Sequence, residues 1–315
     1  MNQPSRSRID THLHVVPPVY ADWLRGMGID AGGRAIPDWY IDRALDLMDQ
    51  LGTASAVLSV STPGVYIGDG GNARAMARAV NEFSAGQVRL RPDRFGFFAT
   101  LVLPDLEGSL AELEHAYDVL GADGVVLLAN EGGVYVGDSS MEPLFAELDR
   151  RAAVVFIHPS QLPGPAVPGI PPFAADFLLD TTRAAINIAR AGWLERFPNV
   201  RIILSHGGGF VPYAAERIAR VCSAYDDYQH GIERLRRFYF DTALSSSHSA
   251  LPALLAFAPH DHIFFGSDWP YAPAERGAHF SGLLDCFPMS AEQARAINRD
   301  NALRLFPRFA GHGAG

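Results

Sequence analysis

Short, nearly continuous apolar runs recur along the chain, separated by longer stretches in which apolar residues return every third or fourth position. Eight such runs stand at Arg8–Val16, Ala54–Ser61, Phe95–Leu103, Gly124–Ala129, Ala153–His158, Arg201–His206, Phe238–Leu244 and Ile263–Asp268. Stretches such as Ala-Val-Val-Phe-Ile and Arg-Ile-Ile-Leu lack the polar alternation of a half-exposed strand. They suit strands of a parallel sheet, buried between a core on one side and a layer of helices on the other. Between them, Asp38–Leu51 sets Ile41, Leu45, Met48 and Leu51 at spacings of three and four. Asn72–Gln87, Leu106–Leu120, Met141–Arg151 and Ala174–Phe197 behave similarly, as do the segments after residues 210, 248 and 290. Eight strands alternating with helices predict an α/β fold of the (β/α)8 TIM-barrel type. An open doubly wound sheet usually carries fewer strands, and its GxGxxG turn after the first strand is absent.

Two connections exceed a simple turn, Val16–Ala35 after the first strand and Gln161–Pro172 after the fifth. The second is too rich in proline for a helix and is expected to loop over a pocket. Gly70–Gly71 reads as a turn and Gly311–Gly315 as a frayed tail, and no repeat of fixed period is present. With 315 residues, 48% of them hydrophobic, the chain can bury one large core. One domain over residues 1–315, its core at about 8–307, is the expected organisation.

A net charge of −9 argues against nucleic acid or an anionic membrane as partner. Only Cys222 and Cys286 are present, with no CxxC, so a disulfide framework is not expected. Met1–Arg8 is polar, without the apolar stretch of a signal peptide, and no run approaches the roughly 20 apolar residues of a membrane span. A soluble, cytoplasmic protein is expected.

The ends of four runs carry the chemistry. Asp10, His12 and His14 alternate along a strand, so their side chains are expected on one face. A barrel would gather them at one mouth with His158, ending the fifth run, and Asp268, ending the eighth. Such nitrogen and oxygen ligands suit Zn²⁺, and Mn²⁺ less tightly. The bland alternative for a lone HxH is two polar residues at a strand end; the third histidine and the carboxylate weigh against it. His206 closes the sixth run before three glycines, which let the backbone turn sharply and approach a ligand. Beside a metal it is a candidate general acid/base, since imidazole exchanges protons near neutral pH. Asp10 could ligate the metal or orient a histidine from behind, and Asp241 is a similar candidate at the end of strand seven. His115, His230, His248, His260, His262, His279 and His312 have no partner pattern and read as surface or structural residues.

The ordered set Asp-Thr-His-Leu-His, Ile-His-Pro-Ser, Ser-His-Gly-Gly-Gly-Phe and Phe-Gly-Ser-Asp-Trp-Pro resembles the amidohydrolase superfamily. Within it, the chain is similar to the branch of aminocarboxymuconate semialdehyde decarboxylase and its relatives. The likeness runs from Ile9 to about Phe306 and includes Leu-Met-Asp-Gln-Leu-Gly before strand two. It implies that His12, His14, His158 and Asp268 bind the metal and that His206 is the catalytic histidine. It also implies a homodimer, because Arg217, eleven positions after His206, holds the place of an arginine that reaches the neighbouring subunit's site. Arg43 lies near the place of a second arginine that contacts substrate carboxylate in relatives. No lysine ends strand four, where Leu127–Ala129 stands, which argues for one metal rather than two. The Ser61-Thr62-Pro63-Gly64 turn and Asp180-Thr181-Thr182-Arg183 look most like the subgroup that includes 6-methylsalicylate decarboxylase.

The expected function is therefore non-oxidative decarboxylation of a small aromatic acid, an ortho-hydroxybenzoate such as 6-methylsalicylate, with Asp268, His206 and Arg217 as catalytic residues. A metal-dependent hydrolase of a lactone or ester is the rival, since the same ligands can activate water. A non-catalytic binding barrel is a third reading, which the intact ligand set and His206 weigh against.

Overall fold

The computed structural model describes residues 7–224 and 227–311; His312 and the rest of the tail beyond Gly311 lie outside them, as do residues 1–6. Eight parallel strands lie side by side in chain order: β1 (Arg8–His14), β2 (Thr53–Ser59), β3 (Phe95–Thr100), β4 (Gly124–Leu128), β5 (Val154–His158), β6 (Arg201–Leu204), β7 (Tyr239–Asp241) and β8 (Ile263–Phe264). The first and last meet. Thr11 N donates to Phe265 O (3.0 Å), Asp268 N to His12 O (2.8 Å) and His14 N to Trp269 O (2.7 Å), closing the ring. The only strands outside it among the described residues form a small hairpin of Asn130–Glu131 with Val134–Tyr135.

The alternation of inward and outward side chains explains why the apolar runs are continuous. In β5, Val154 and Phe156 belong to a cluster inside the barrel, whereas Val155 and Ile157 join the larger core under the helices. Ile9, Val57, Phe98, Val126, Ile203 and Phe264 join the inner cluster, with Ala302, Phe306 and Phe309 from the C-terminal segment. Phe309 lies against Gly96 near the start of β3, so these rings plug the end at which the strands begin. The opposite mouth is left to polar side chains.

Helices stand where the three-to-four periodicity placed them: Ile41–Gln50, Gly70–Leu90, Leu106–His115, Glu142–Arg150, Pro172–Arg190, Val211–Cys222, Ala250–Phe257 and Ala291–Arg295. The stretch expected over Ala174–Phe197 breaks at Gly192, whose φ of 72° is left-handed, and resumes at Trp193–Arg196. Gly70–Gly71 is not a turn, because the Asp69 side chain caps the backbone N–H groups of Gly71 and Asn72 and starts the helix there. Pro18–Gly26, Tyr228–Leu235 and Ala274–Cys286 come in addition. The last of these buries Gly277, Ser281 and Leu284, so it presents no apolar stripe for a sequence reading to find. The proline-rich stretch from Gln161 carries no helix before Pro172. No helix among the described residues is long and apolar enough to cross a membrane.

Candidate metal centre

Four side chains converge at the polar mouth: His12 and His14 of β1, His158 closing β5, and Asp268 just beyond β8. One ligand atom from each lies within 4.8 Å of the others, and all four residues are buried. Each imidazole is held through Nδ1. His12 Nδ1 lies 2.7 Å from Asp241 Oδ2, His14 Nδ1 3.2 Å from Ser59 O, and His158 Nδ1 2.9 Å from Pro159 O. With each Nδ1–H donated to an oxygen, the lone pair falls on Nε2. Yet His12 Nε2 and His14 Nε2 sit 3.0 Å apart, and Asp268 Oδ1 lies 3.2 and 3.1 Å from them. Electron-pair donors so close repel one another unless positive charge stands among them. This donor set therefore fits a divalent cation bound by nitrogen and oxygen.

Without a cation, a proton takes that part. Burial opposes charge on His12, but Asp241 and Asp268 outweigh it and push its pKa up to about 10. Burial lowers the pKa of His14 and takes that of His158 well below the ordinary histidine range, where the neighbouring imidazoles also hold it down. Both remain neutral and available as ligands. Burial alone would raise Asp268, but hydrogen bonds from His12, His14 and His206 hold its carboxyl well below the usual carboxylate range.

Asp10 does not join the group. Ile9 points into the barrel and Leu13 out of it, although an even spacing would set both on one face; a register shift between Asp10 and Leu13 accounts for the difference. Asp10 Oδ1 instead accepts from the backbone N–H of His12 (2.9 Å) and of Ser267 (3.2 Å), stapling β1 to the segment after β8. The carboxylate behind a histidine is Asp241. Besides His12, it accepts through Oδ1 from the backbone N–H of His206 (2.9 Å) and Ala243 (3.0 Å). One side chain thus fixes the ring of a metal-ligand candidate and the backbone of the acid/base candidate.

His206 itself adopts a left-handed φ of 53° and is followed by Gly207, Gly208 and Gly209, all with positive φ. A Cβ on Gly208 would fall 2.7 Å from the Phe240 ring, and one on Gly209 only 2.2 Å from Leu178 O. The three glycines are thus required by conformation, and two of them also by space. The turn brings His206 Nε2 to 3.5 Å from Asp268 Oδ2, while its Nδ1 is buried with no hydrogen-bond partner among the described residues. Asp268 also has a positive φ, 62°. Gly266 makes room nearby, since a Cβ there would fall 2.8 Å from that of His12.

A cavity of about 560 Å³ opens onto this centre. His158, His206, Asp268, Ser61 and Thr62 line it, together with apolar walls that include Phe173, Phe177, Leu178, Phe210, Leu254 and Phe280. Among the described residues, Asp268 is the one carboxylate in the lining, and Arg34 and Arg276 are its two guanidinium groups. Arg43 is not there. It lies exposed over the Tyr40 ring at 5.4 Å, in a separate groove with Asp38 and Asp46. Arg217 is exposed on the helix Val211–Cys222 and also lies outside the lining, although Tyr213, one turn earlier on the same helix, belongs to it.

Residues 9–308 match the amidohydrolase family. The chain belongs to that family. A 6-methylsalicylic acid decarboxylase from Penicillium expansum is 37% identical to it, over 97% of this chain and 98% of that protein. A crystal structure of an amidohydrolase II superposes with a TM-score of 0.90 at 30% identity, covering 96% of this chain and 100% of the other. A dihydroxybenzoic acid decarboxylase from Polaromonas sp. JS666, solved with manganese and the inhibitor 2-nitroresorcinol, shares the fold with a TM-score of 0.81 at 22% identity, over 96% and 97% of the two chains.

In this amidohydrolase the sequence reading brought together His12, His14, His158, Asp268 and His206, and missed the arginines of the cavity. Arg34 follows Gly32 and Gly33 in the long first connection, where no periodicity marks its direction. The guanidinium is set 4.3 Å over the Phe173 ring, a contact between segments that only the fold brings together. Arg276 sits on the helix that carries no apolar stripe.

Proposed function

We propose that this amidohydrolase is a metal-dependent, non-oxidative decarboxylase of an aromatic acid, acting on an ortho-hydroxybenzoate of the 6-methylsalicylate kind. The observation that carries this reading is a His/His/His/Asp donor set, of which His158 and Asp268 line a cavity with aromatic walls and two guanidinium groups. The relative from Penicillium expansum narrows the substrate. His12, His14, His158 and Asp268 would hold one divalent ion. The nitrogen and oxygen donors favour Zn²⁺, and the manganese of the Polaromonas enzyme makes Mn²⁺ the alternative.

A bound cation supplies positive charge for the carboxylate and the adjacent phenolic oxygen of the substrate. The chain's own groups do the rest. Arg34 and Arg276 draw the anion in and offer donors to its oxygens. The aromatic walls hold the ring and exclude water. A proton handed from His206 Nε2 to the Asp268 carboxylate passes on to the ring carbon that bears the carboxylate. The carbon–carbon bond then breaks, its electron pair returns to the ring, and CO₂ leaves. His206, facing Asp268 through Nε2, orients the substrate and returns a proton to the carboxylate. Loss of aromaticity on protonation is the costly part, so positioning and fixed charge must supply much of the rate.

The assembly belongs to the same proposal: a homodimer of one-domain, cytoplasmic subunits in which Arg217 serves the neighbouring site. Its exposure, and its place on the helix that brings Tyr213 to the cavity, support that role. Metal analysis combined with CO₂ release from a panel of hydroxybenzoates tests the function. One divalent ion per chain and CO₂ formed without consumption of water are expected. Acid release from lactones or esters, with no CO₂ from any hydroxybenzoate, would overturn it in favour of a hydrolase.

A further inference from the structure

The cavity is larger than a single substituted ring needs. It measures about 560 Å³, whereas an apolar cavity of about 150 Å³ accommodates benzene. A ring held at the floor by its carboxylate and phenol occupies the end lined by His158, His206 and Asp268. The remaining volume is bounded largely by carbon. Ala250, Ala253 and Leu254 recur at three and four positions on one face of the helix Ala250–Phe257, and all three line the cavity with Phe177 and Phe280. The two alanines leave open the space that larger side chains would fill. Apart from Asp268, no carboxylate among the described residues lines the cavity. Water over such walls has few groups to bond, so its displacement by an apolar group favours binding.

We propose that the preferred substrate is an ortho-hydroxybenzoate carrying an apolar chain of several carbons, housed by the part of the cavity that Ala250, Ala253, Leu254 and Phe280 bound. This rests on the decarboxylase reading and names the substrate within it. Water must leave the chamber for the chain to enter, and each methylene transferred from water should raise kcat/KM by up to about fourfold until the chamber is full.

The test compares salicylates with methyl, propyl and pentyl groups at each free ring position, using metal-loaded protein and CO₂ release. At one position or more, kcat/KM should climb from methyl to pentyl. Ala253→Phe should then cut the pentyl-to-methyl ratio of kcat/KM at least tenfold, and Ala250→Phe provides the same comparison should the first variant fold poorly. Turnover of 6-methylsalicylate with kcat/KM falling at every position as the chain lengthens would overturn the inference and leave the decarboxylase standing. An unchanged ratio in both folded variants would also overturn it. CO₂ release from no member of the series would remove the decarboxylase reading itself, and this inference with it.

Discussion

His158 and His206 present their rings 5.5 Å apart, yet their surroundings give them different work. His158 commits Nδ1 to a backbone oxygen and points its other nitrogen at the convergent donors; the ring nitrogens of His206 have Asp268 as their one polar partner among the described residues, at the cavity. His158→Ala should therefore lose metal and turnover together. His206→Ala should keep its metal and lose about 10²-fold or more in rate, the scale of a positioned acid/base group. Metal content and CO₂ release measured on the same samples separate the two, and a metal-poor His206→Ala protein restored by added metal would reverse the roles. His12 leads to a second expectation. Its pKa near 10 in the metal-free protein means that it is protonated at neutral pH, whereas a ligand nitrogen must be bare. Metal binding should expel about one proton per ion, and affinity should rise about tenfold per pH unit from pH 7 towards 10, then level off. Asp241→Asn should weaken metal affinity about 10–100-fold, because the imidazole loses the carboxylate that orients it. Calorimetric titration in buffers of different ionisation enthalpy counts the protons, and a release of none would refute the scheme. The HxH pattern made His12 and His14 legible in the sequence. The register shift in β1, which period-two reasoning cannot anticipate, took Asp10 out of that row, while the orienting role left open for Asp241 is the one the fold gives it, 2.7 Å from His12 Nδ1.

At the scale of elements, the eight strands could be read because burial on both faces writes itself as uninterrupted apolar runs. Most helices that bury an apolar stripe were readable too; Pro18–Gly26, which buries Tyr20 and Leu24, passed for a connection, and Ala274–Cys286 turns small and polar residues inward and was silent. The turn after β6 was visible only as three glycines; the structure adds the reason each is needed. Gly209 and Gly28 have nearly the same left-handed φ, 62° and 67°, but a Cβ on Gly28 meets nothing within 4 Å. Gly28→Ala should cost only backbone strain, about 1–2 kcal/mol. Gly209→Ala adds a collision with Leu178 O, so it should lower the denaturation midpoint further and also reduce turnover by displacing His206. Paired unfolding curves make the comparison, and equal losses would show that the turn has room to spare.

For the whole molecule, the open question is what covers the helix Val211–Cys222. Tyr213 is 85% exposed and Val221 55%, with Arg217 between them at helical spacing. These side chains share one face of the helix, and a second copy of the chain would bury them. A homodimer is accordingly expected, in which Arg217→Ala cripples turnover with normal metal content. Mixing Arg217→Ala with His206→Ala subunits, each inactive alone, should restore part of the activity, because one site in each mixed dimer keeps both groups. No recovery with heterodimers verified would place the arginine's action within its own chain or nowhere.

Closure of the ring by β1 and β8 has a consequence for how the protein comes into being. His14 and Asp268 stand 254 positions apart. At about 5–20 residues per second, a ribosome delivers the second roughly ten seconds or more after the first. Throughout that interval the nascent chain displays two histidines, later joined by His158, with no Asp268 opposite, a weak site of little selectivity. Tight capture has to wait for the last strand. A bound ion would then act as a clasp between the two ends of the domain, where the entropy of joining distant segments is greatest. Chains that stop short of Asp268 would lack this clasp, leaving their first strand paired on one side only, with β2.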